Sequence, residues 1–232
     1  MLNLLISTVE LAAHLDAPDW IVFDCRHDLF DAAAGSRAYA ESHIRGARHL
    51  QLDRDLSGTK SGRNGRHPLP DATTFCARMG ALGLANHMQV VAYDGSGGAF
   101  AARLWWLLRW VGHERVAVLD GGWNAWIKSG NAVSAETPRP VRGNFTGTPR
   151  AITVDAAFVA AELGSARTRI IDARSPDRFR GENETLDPVG GHIPVLRRWA
   201  RRMRQSSLGE RPKSSEVSTN CERFRTRERS GS

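Results

Sequence analysis

Residues Val90 to Arg103 read VVAYDGSGGAFAAR, and this stretch decides the fold class. The apolar run from Val90 to Tyr93 is typical of a buried parallel strand. The glycines that follow indicate a tight loop, and the run AFAAR indicates the start of a helix. A strand, a glycine loop and a helix in this order commonly form an active site, since the helix N-terminus presents unpaired N–H groups. Asp94 leads the loop, where a nucleophilic cysteine would be expected.

The same alternation of strand-like and helix-like runs continues on both sides of this loop. It predicts an α/β fold in which a small, mostly parallel sheet is flanked by helices. Ser7 with Glu10 forms a capping-box pattern, and Asp71 is a candidate cap of a later helix. Strand-like runs occur at 20–26, 87–93 and 115–119, and helix-like runs at 7–15, 71–84, 99–112 and 123–130.

Three motifs recur in the same order further along the chain, which indicates a tandem duplication. The second copies of these motifs begin at Ile152, Ile170 and Gly191, and the offsets are 146, 148 and 149 residues. The first copies are ISTVELAAHL, VFDCR and SHIRGA, and the second are ITVDAAFVAAEL, IIDAR and GHIP. We therefore expect a first domain over 1–135, a linker over 136–150, an incomplete second domain over 151–194 and a tail over 195–232.

The basic character of the chain comes from this tail. The whole chain has a formal charge of +7, and the tail holds eleven basic and four acidic residues, which alone gives +7. Its Arg- and Ser-rich composition predicts disorder. A reading-frame change after Pro194 is one hypothesis for its origin. Contact between the tail and nucleic acid is an alternative function. Because residues 1–194 hold equal numbers of basic and acidic residues, a nucleic-acid partner is the weaker expectation.

Composition excludes several other classes of protein. There is no apolar run of the ~18 residues that a membrane span needs, so no membrane partner is expected. The start of the chain lacks the pattern of a secretory signal, which favours the cytoplasm. Three widely spaced cysteines indicate neither a disulfide framework nor a metal site, and no cofactor is expected. An incomplete second domain would expose a strand edge, and self-association is then possible.

The order of the motifs resembles that of the tandem-domain rhodaneses, which include thiosulfate and 3-mercaptopyruvate sulfurtransferases. The resemblance covers about residues 4 to 194 and is carried by DCR, ESHIRGARHL, VVAYDGSGGAFAAR, LDGGWNAW and GGHIP. It implies that the catalytic cysteine belongs to the second domain, and that the first domain carries Asp at the corresponding place. The partner that it implies is a small anionic sulfur donor, thiosulfate or 3-mercaptopyruvate.

On this basis Asp94 holds an active-site-like loop together without reacting. Its carboxylate is expected to accept N–H bonds along the loop, and no lysine or acid pattern supports a phosphoryl-transfer nucleophile. The loop consists of Asp94, Gly95, Ser96, Gly97, Gly98 and Ala99.

No cysteine of the sequence fits the catalytic position. Cys25 ends a strand and Cys76 lies in a helical run, so both are expected to pack in the core. Cys221 follows neither a strand-like run nor a glycine loop. We therefore expect no catalytic residue in the chain. The tryptophans at 105, 106, 110, 123 and 126 have the spacing of core residues.

Two residues are candidates for binding the donor, and the resemblance alone suggests them. Arg178 matches the arginine of the R-F-x-G segment of the family, and an arginine fork suits a carboxylate or sulfonate. His67 matches a first-domain histidine of the mercaptopyruvate enzymes. The alternatives are a solvent-exposed arginine and an ordinary loop histidine. The functional classes that remain are an inactive chain of a sulfurtransferase family, a non-catalytic binding or relic protein, and a nucleic-acid binder.

Overall fold

The computed structural model describes residues 2, 4–185 and 189–194, and the backbone of 197–198. The chain divides into two compact units, Met1–Thr153 and Val154–Ser232. No helix in the described part of the chain is both long and apolar enough to cross a membrane.

The first unit is built on a five-stranded parallel sheet with the strand order β1-β6-β5-β2-β4. A short antiparallel pair, β3 with β7, lies apart from this sheet. The strands are β1 (Leu5–Ile6), β2 (Trp20–Asp24), β3 (His43–Ile44), β4 (Arg48–His49), β5 (Gln89–Tyr93), β6 (Val116–Leu119) and β7 (Val133–Ser134). The helices are α1 (Thr8–Ala12), α2 (Ala34–Glu41), α3 (Leu52–Asp55), α4 (Ala72–Ala81), α5 (Ala99–Trp110) and α6 (Gly122–Lys128).

The central strand, β5, carries the core on both of its faces. Val90 and Ala92 pack in one apolar cluster, while Val91 and Tyr93 pack in a second cluster on the opposite face. This alternation follows from the two-residue period of a strand. Because helices cover both faces, every residue of β5 is buried, and four of its five residues, Val90 to Tyr93, form a continuous apolar run. The α/β fold with a small parallel sheet is thus confirmed.

The helix starts agree with the capping residues that the sequence indicates. The Ser7 hydroxyl accepts an N–H bond from Glu10 at 3.2 Å, and Asp71 accepts one from Thr74 at 2.8 Å. Trp126 and Trp110 are buried, and Trp105, Trp106 and Trp123 pack against the core, as their spacing predicts.

The segment that the sequence identifies as a linker packs in part on the first unit. Phe145 is buried in the apolar cluster beside α4 and α5. Backbone N–H groups of Gly143 and Thr148 donate to the carbonyls of Gly80 and Val111 at 2.8 and 3.0 Å. Since the division between the units falls after Thr153, this segment belongs to the first unit.

The second unit begins with a capped helix followed by a strand, the order that α1 and β2 have after β1 in the first unit. Its elements are α7 (Ala156–Ala161), β8 (Ile171–Asp172), α8 (Pro176–Arg180) and β9 (Arg197–Arg198), and β9 lies parallel to β8. Apart from the backbone of 197–198, the predicted basic tail and Cys221 lie outside the described residues. The disorder and nucleic-acid contact suggested for the tail therefore stay predictions.

Candidate active-site loop

The loop after β5 is organised around one buried carboxylate. Asp94 is 1% exposed, and its Oδ1 accepts backbone N–H bonds from Ser96 at 2.8 Å and Gly98 at 2.9 Å. Its Oδ2 accepts N–H bonds from Phe100 at 2.8 Å and Ala101 at 2.9 Å. We call residues 94–101, which contain this arrangement, the Asp94 loop.

These bonds extend the expectation drawn from the sequence. Ser96 and Gly98 lie within the loop expected to donate, whereas Phe100 and Ala101 lie in the first turn of α5. The first N–H groups of a helix have no partner within the helix, and the helix dipole favours an anion there. The Asp94 loop is therefore an anion site that the protein fills with its own side chain.

Glycine at two positions gives the loop its shape. Gly97 has a φ of 74° and Gly98 a φ of 92°, a left-handed backbone that residues with a Cβ rarely adopt. These turns aim successive N–H groups at one point, as in other anion-binding loops. Gly95, Ser96 and Gly97 are exposed, so the outer side of the loop faces solvent.

A buried ion pair lies beside the Asp94 loop, and the sequence reasoning assigned it no role. Arg26 donates from Nε and Nη2 to the Asp24 carboxylate at 2.6 to 3.1 Å, and from Nη2 to the Ser42 carbonyl at 2.6 Å. Tyr93 donates its hydroxyl to Asp24 at 2.7 Å, and the Arg26 guanidinium lies 4.3 Å from the Trp123 ring. We call this arrangement the aspartate–arginine clamp.

The second unit repeats the clamp. Arg174 donates from Nε and Nη2 to the Asp172 carboxylate at 2.7 to 3.1 Å, and from Nη2 to the Gly191 carbonyl at 2.6 Å. These residues follow their first-unit counterparts by 148, 148 and 149 residues. The recurrence of D-x-R in DCR and DAR was the signal in the sequence that could have identified the clamp.

Gly122, the first residue of α6, lies against the backbone of Asp94. A Cβ on Gly122 would lie 2.3 Å from the Asp94 carbonyl oxygen, and the φ of Gly122 is 56°. We expect Gly122→Ala to lower the free energy of unfolding by about 3 kcal/mol, from a positive φ and a backbone overlap together. Urea unfolding of both variants checks this against Gly130→Ala as the control.

Gly130 also has a positive φ, 68°, but has no atom within 4 Å of its Cβ position. Gly130→Ala therefore measures the cost of placing alanine at a positive φ without any overlap, about 1 kcal/mol. Equal losses for the two variants would show that Gly122 does not support the loop.

The two cysteines among the described residues lie in the core. Cys25 is 1% exposed. Burial is the main cause that raises the pKa of its thiol well above the usual value, and the negative charges of Asp24 and Asp94 raise it further. Burial also raises the pKa of the Cys76 thiol. Since the thiolate is the nucleophilic form, both environments oppose sulfur chemistry.

His67 lies in the loop before α4, facing Asp53. Its Nε2 is 3.6 Å from Asp53 Oδ1, and Arg103 holds the loop by donating to the carbonyls of Leu56, His67 and Pro68 at 3.1 Å. Burial lowers the pKa of His67, although the Asp53 carboxylate acts in the opposite direction. The imidazole is thus mostly neutral at pH 7 and offers a hydrogen bond in preference to a charge.

Arg178 lies in the second unit, on α8. It forms a fork on the Glu184 carboxylate, from Nε at 3.1 Å and from Nη2 at 2.7 and 3.0 Å. The Arg178 guanidinium is therefore oriented as it would be to bind the carboxylate of a ligand, but the carboxylate that it binds is that of Glu184. Within the described ranges no group of three or more His, Cys, Asp and Glu side chains is arranged to hold a metal ion.

Comparison with known proteins agrees with this geometry. The model of the rhodanese-like domain matches residues 7–129. A Pseudomonas aeruginosa protein described as a "probable 3-mercaptopyruvate sulfurtransferase" is 47% identical over 82% of this chain and 68% of its own length. The thiosulfate sulfurtransferase of Azotobacter vinelandii is 35% identical over 83% of this chain and 67% of its own length.

A solved structure gives the same result. The 3-mercaptopyruvate sulfotransferase SseA of Escherichia coli matches with a TM-score of 0.73 and 27% identity, over 90% of this chain and 80% of SseA. This chain therefore belongs to the rhodanese family, among the 3-mercaptopyruvate and thiosulfate sulfurtransferases.

Proposed function

We propose that this chain takes part in rhodanese-type sulfur transfer and that its first unit does not carry out the transfer itself. One observation carries the proposal: both oxygens of Asp94 are bonded to the N–H groups of the Asp94 loop. The position that would activate a thiolate holds a carboxylate.

The chemistry requires a thiolate. It attacks the sulfane sulfur of thiosulfate, the S–S bond of the donor breaks, and sulfite leaves with the electron pair while a persulfide forms. Cyanide then takes the outer sulfur as thiocyanate and restores the thiolate. Convergent N–H groups at a helix start stabilise both anionic forms of the cysteine. A carboxylate in this place cannot form a persulfide.

We propose 3-mercaptopyruvate as the donor, with Arg178 as the group that binds its carboxylate. The support is the 47% identity to the Pseudomonas protein described as a mercaptopyruvate enzyme, together with the fork that Arg178 already makes on a carboxylate. Glu184 occupies that fork, so a donor has to displace it.

Removing the negative charge of Glu184, which competes with the donor for Arg178, should strengthen donor binding. We expect Glu184→Gln to tighten the binding of 3-mercaptopyruvate by about tenfold, or ~1.4 kcal/mol, because a neutral amide competes less for the guanidinium. Isothermal titration calorimetry measures the change. Glu182→Gln is the matched control, since Glu182 forms a similar pair with the neighbouring Arg180. An equal gain in both variants would reflect net charge alone and would exclude Arg178 as the donor site.

The proposal is tested by turnover of the purified 232-residue chain. It is incubated with thiosulfate or 3-mercaptopyruvate and cyanide, and thiocyanate is measured as its ferric complex. We expect no thiocyanate above the protein-free blank. Turnover of the wild-type chain that is lost in Asp94→Ser would show that the Asp94 loop carries out the transfer and would contradict the proposal.

A further inference from the structure

The loop between α3 and α4 carries basic side chains and no acidic one. Residues 56–70 read LSGTKSGRNGRHPLP, and their charged side chains are those of Lys60, Arg63 and Arg66. All three residues are exposed. We call residues 56–70 the basic loop. Its charge is local, since residues 1–194 as a whole hold equal numbers of basic and acidic residues.

The two ends of the basic loop are fixed to each other and to α5. The Gly58 N–H donates to the Pro68 carbonyl at 3.0 Å. Arg103 of α5 donates from Nη2 to the carbonyls of Leu56, His67 and Pro68 at 3.1 Å. The base of the loop is therefore held on the helix that follows the Asp94 loop.

Asn64 orders the exposed tip of the basic loop. Its Oδ1 accepts the Ser61 N–H at 2.9 Å, and its Nδ2 donates to the Thr59 carbonyl at 2.9 Å. The Arg63 N–H donates to the Ser61 hydroxyl at 3.3 Å. The basic side chains thus project from a backbone whose shape is set before a partner binds, which lowers the entropy cost of binding.

His67 reports the electrostatic field at the base of the loop. Burial lowers its pKa, the Asp53 carboxylate acts in the opposite direction, and the positive charges of Lys60, Arg66 and Arg103 lower the pKa further. Three cations and one carboxylate therefore act on this imidazole. A field that disfavours a positive charge on His67 favours an anion beside it.

We propose that the basic loop binds an acidic segment of a partner protein, in which carboxylates face Lys60, Arg63 and Arg66. The proposal goes beyond the proposed function and does not depend on it, because the binding needs no sulfur donor. Cations that recur every third residue on one exposed loop suit the carboxylates of an extended acidic segment. Charge complementarity of this kind orients a partner and speeds its encounter with the surface.

The distribution of charge favours an acidic peptide over a nucleic acid. A nucleic acid is bound through many phosphates along an extended basic surface, about six to ten in a typical complex. Apart from the three cations of the basic loop, residues 1–194 hold 18 basic and 21 acidic residues. A long polyanion would therefore meet repulsion beyond the loop, whereas a short acidic segment can contact the loop alone.

The probe is a fluorescein-labelled oligoglutamate peptide of about eight residues, or ~27 Å of extended chain. Its binding to the full 232-residue chain is measured by fluorescence anisotropy at low ionic strength. We expect the triple variant Lys60→Gln, Arg63→Gln, Arg66→Gln to raise the Kd of the peptide at least about tenfold. An unchanged Kd would place the peptide elsewhere on the chain and overturn the proposal.

A matched control removes the same charge outside the basic loop. It is the triple variant Lys128→Gln, Arg139→Gln, Arg142→Gln, whose residues are also exposed. We expect this control to raise the Kd less than about twofold, because only long-range attraction is lost. Equal weakening in both triple variants would show attraction to net charge alone and would contradict the proposal.

The shape of the loop is tested without a change of charge. Asn64→Ala removes the two side-chain bonds that order the tip and should raise the Kd about threefold, because the loop then loses entropy on binding. All these variants should unfold at the urea concentration of the wild type, since the substituted side chains are exposed. An Asn64→Ala variant that binds as tightly as the wild type would contradict the role of the ordered loop.

Two further measurements identify the site and the class of partner. Bound carboxylates should raise the pKa of His67, followed by NMR, in the wild type and not in the loop triple variant, because a nearby anion favours the imidazolium. A pKa of His67 that the peptide leaves unchanged would contradict binding at the basic loop. A single-stranded DNA of equal charge that binds the loop more tightly than the peptide would assign the loop to nucleic acid and overturn the proposal.

Discussion

Asp94→Cys should convert the first unit into a sulfur acceptor. We expect the variant to gain an added mass of about 32 Da, one sulfur atom, after treatment with thiosulfate. Its thiocyanate production should exceed the protein-free blank by at least about a hundredfold, whereas the wild-type chain should stay at the blank. The reason is that the donors are already in place: four N–H groups at 2.8 to 2.9 Å surround the position of the replaced carboxylate.

The same geometry should lower the pKa of the introduced thiol below the usual ~8.5. The pH dependence of its alkylation by iodoacetamide measures that pKa. Asp94→Ser is the matched control, since a hydroxyl occupies the same loop but forms no persulfide. A folded Asp94→Cys protein that gains no sulfur would show that the Asp94 loop cannot support a nucleophile, and would remove the physical basis of the account.

Asp94→Ala should cause a large loss of stability. The substitution leaves the N–H groups of Ser96, Gly98, Phe100 and Ala101 without their carboxylate partner. Hydrogen bonds to charged groups contribute about 1.5–3 kcal/mol each, and water can reach the outer part of the loop. We therefore expect the free energy of unfolding to fall by about 4 to 5 kcal/mol, measured by urea denaturation.

Asp31→Ala is the control for this loss. Asp31 also accepts a backbone N–H bond, from Ala33 at 3.0 Å, and pairs with Arg37, but it is exposed. Because solvent screens this exposed pair, its loss should cost far less than the loss of Asp94. Similar costs for the two alanine variants would mean that the buried hydrogen bonds of Asp94 contribute little to the fold.

The sequence predicted the parts of this protein that depend on local patterns. The apolar run of β5, the caps at Ser7 and Asp71 and the glycines of the Asp94 loop are each read within a few residues, because each follows from local backbone or capping chemistry. The position of Asp94 between a strand and a helix was sufficient to predict a carboxylate that accepts N–H bonds.

The features that the sequence did not reveal depend on contacts between distant residues. Tyr93 reaches Asp24 across 69 positions, and Phe145 enters the core from a segment whose composition is that of a linker. The partner of Arg178 also required the structure, since many nearby carboxylates could satisfy one guanidinium. The amino-acid composition of a segment indicates how exposed the segment is on average, but it does not identify which of its residues is buried.

The most direct test is the intact mass of the wild-type 232-residue chain after incubation with 3-mercaptopyruvate or thiosulfate. The account predicts an unchanged mass, because Asp94 occupies the loop that would activate a thiolate and because burial raises the pKa of Cys25 and Cys76. An added sulfur of about 32 Da on a cysteine of the folded chain, removed by cyanide with release of thiocyanate, would contradict it.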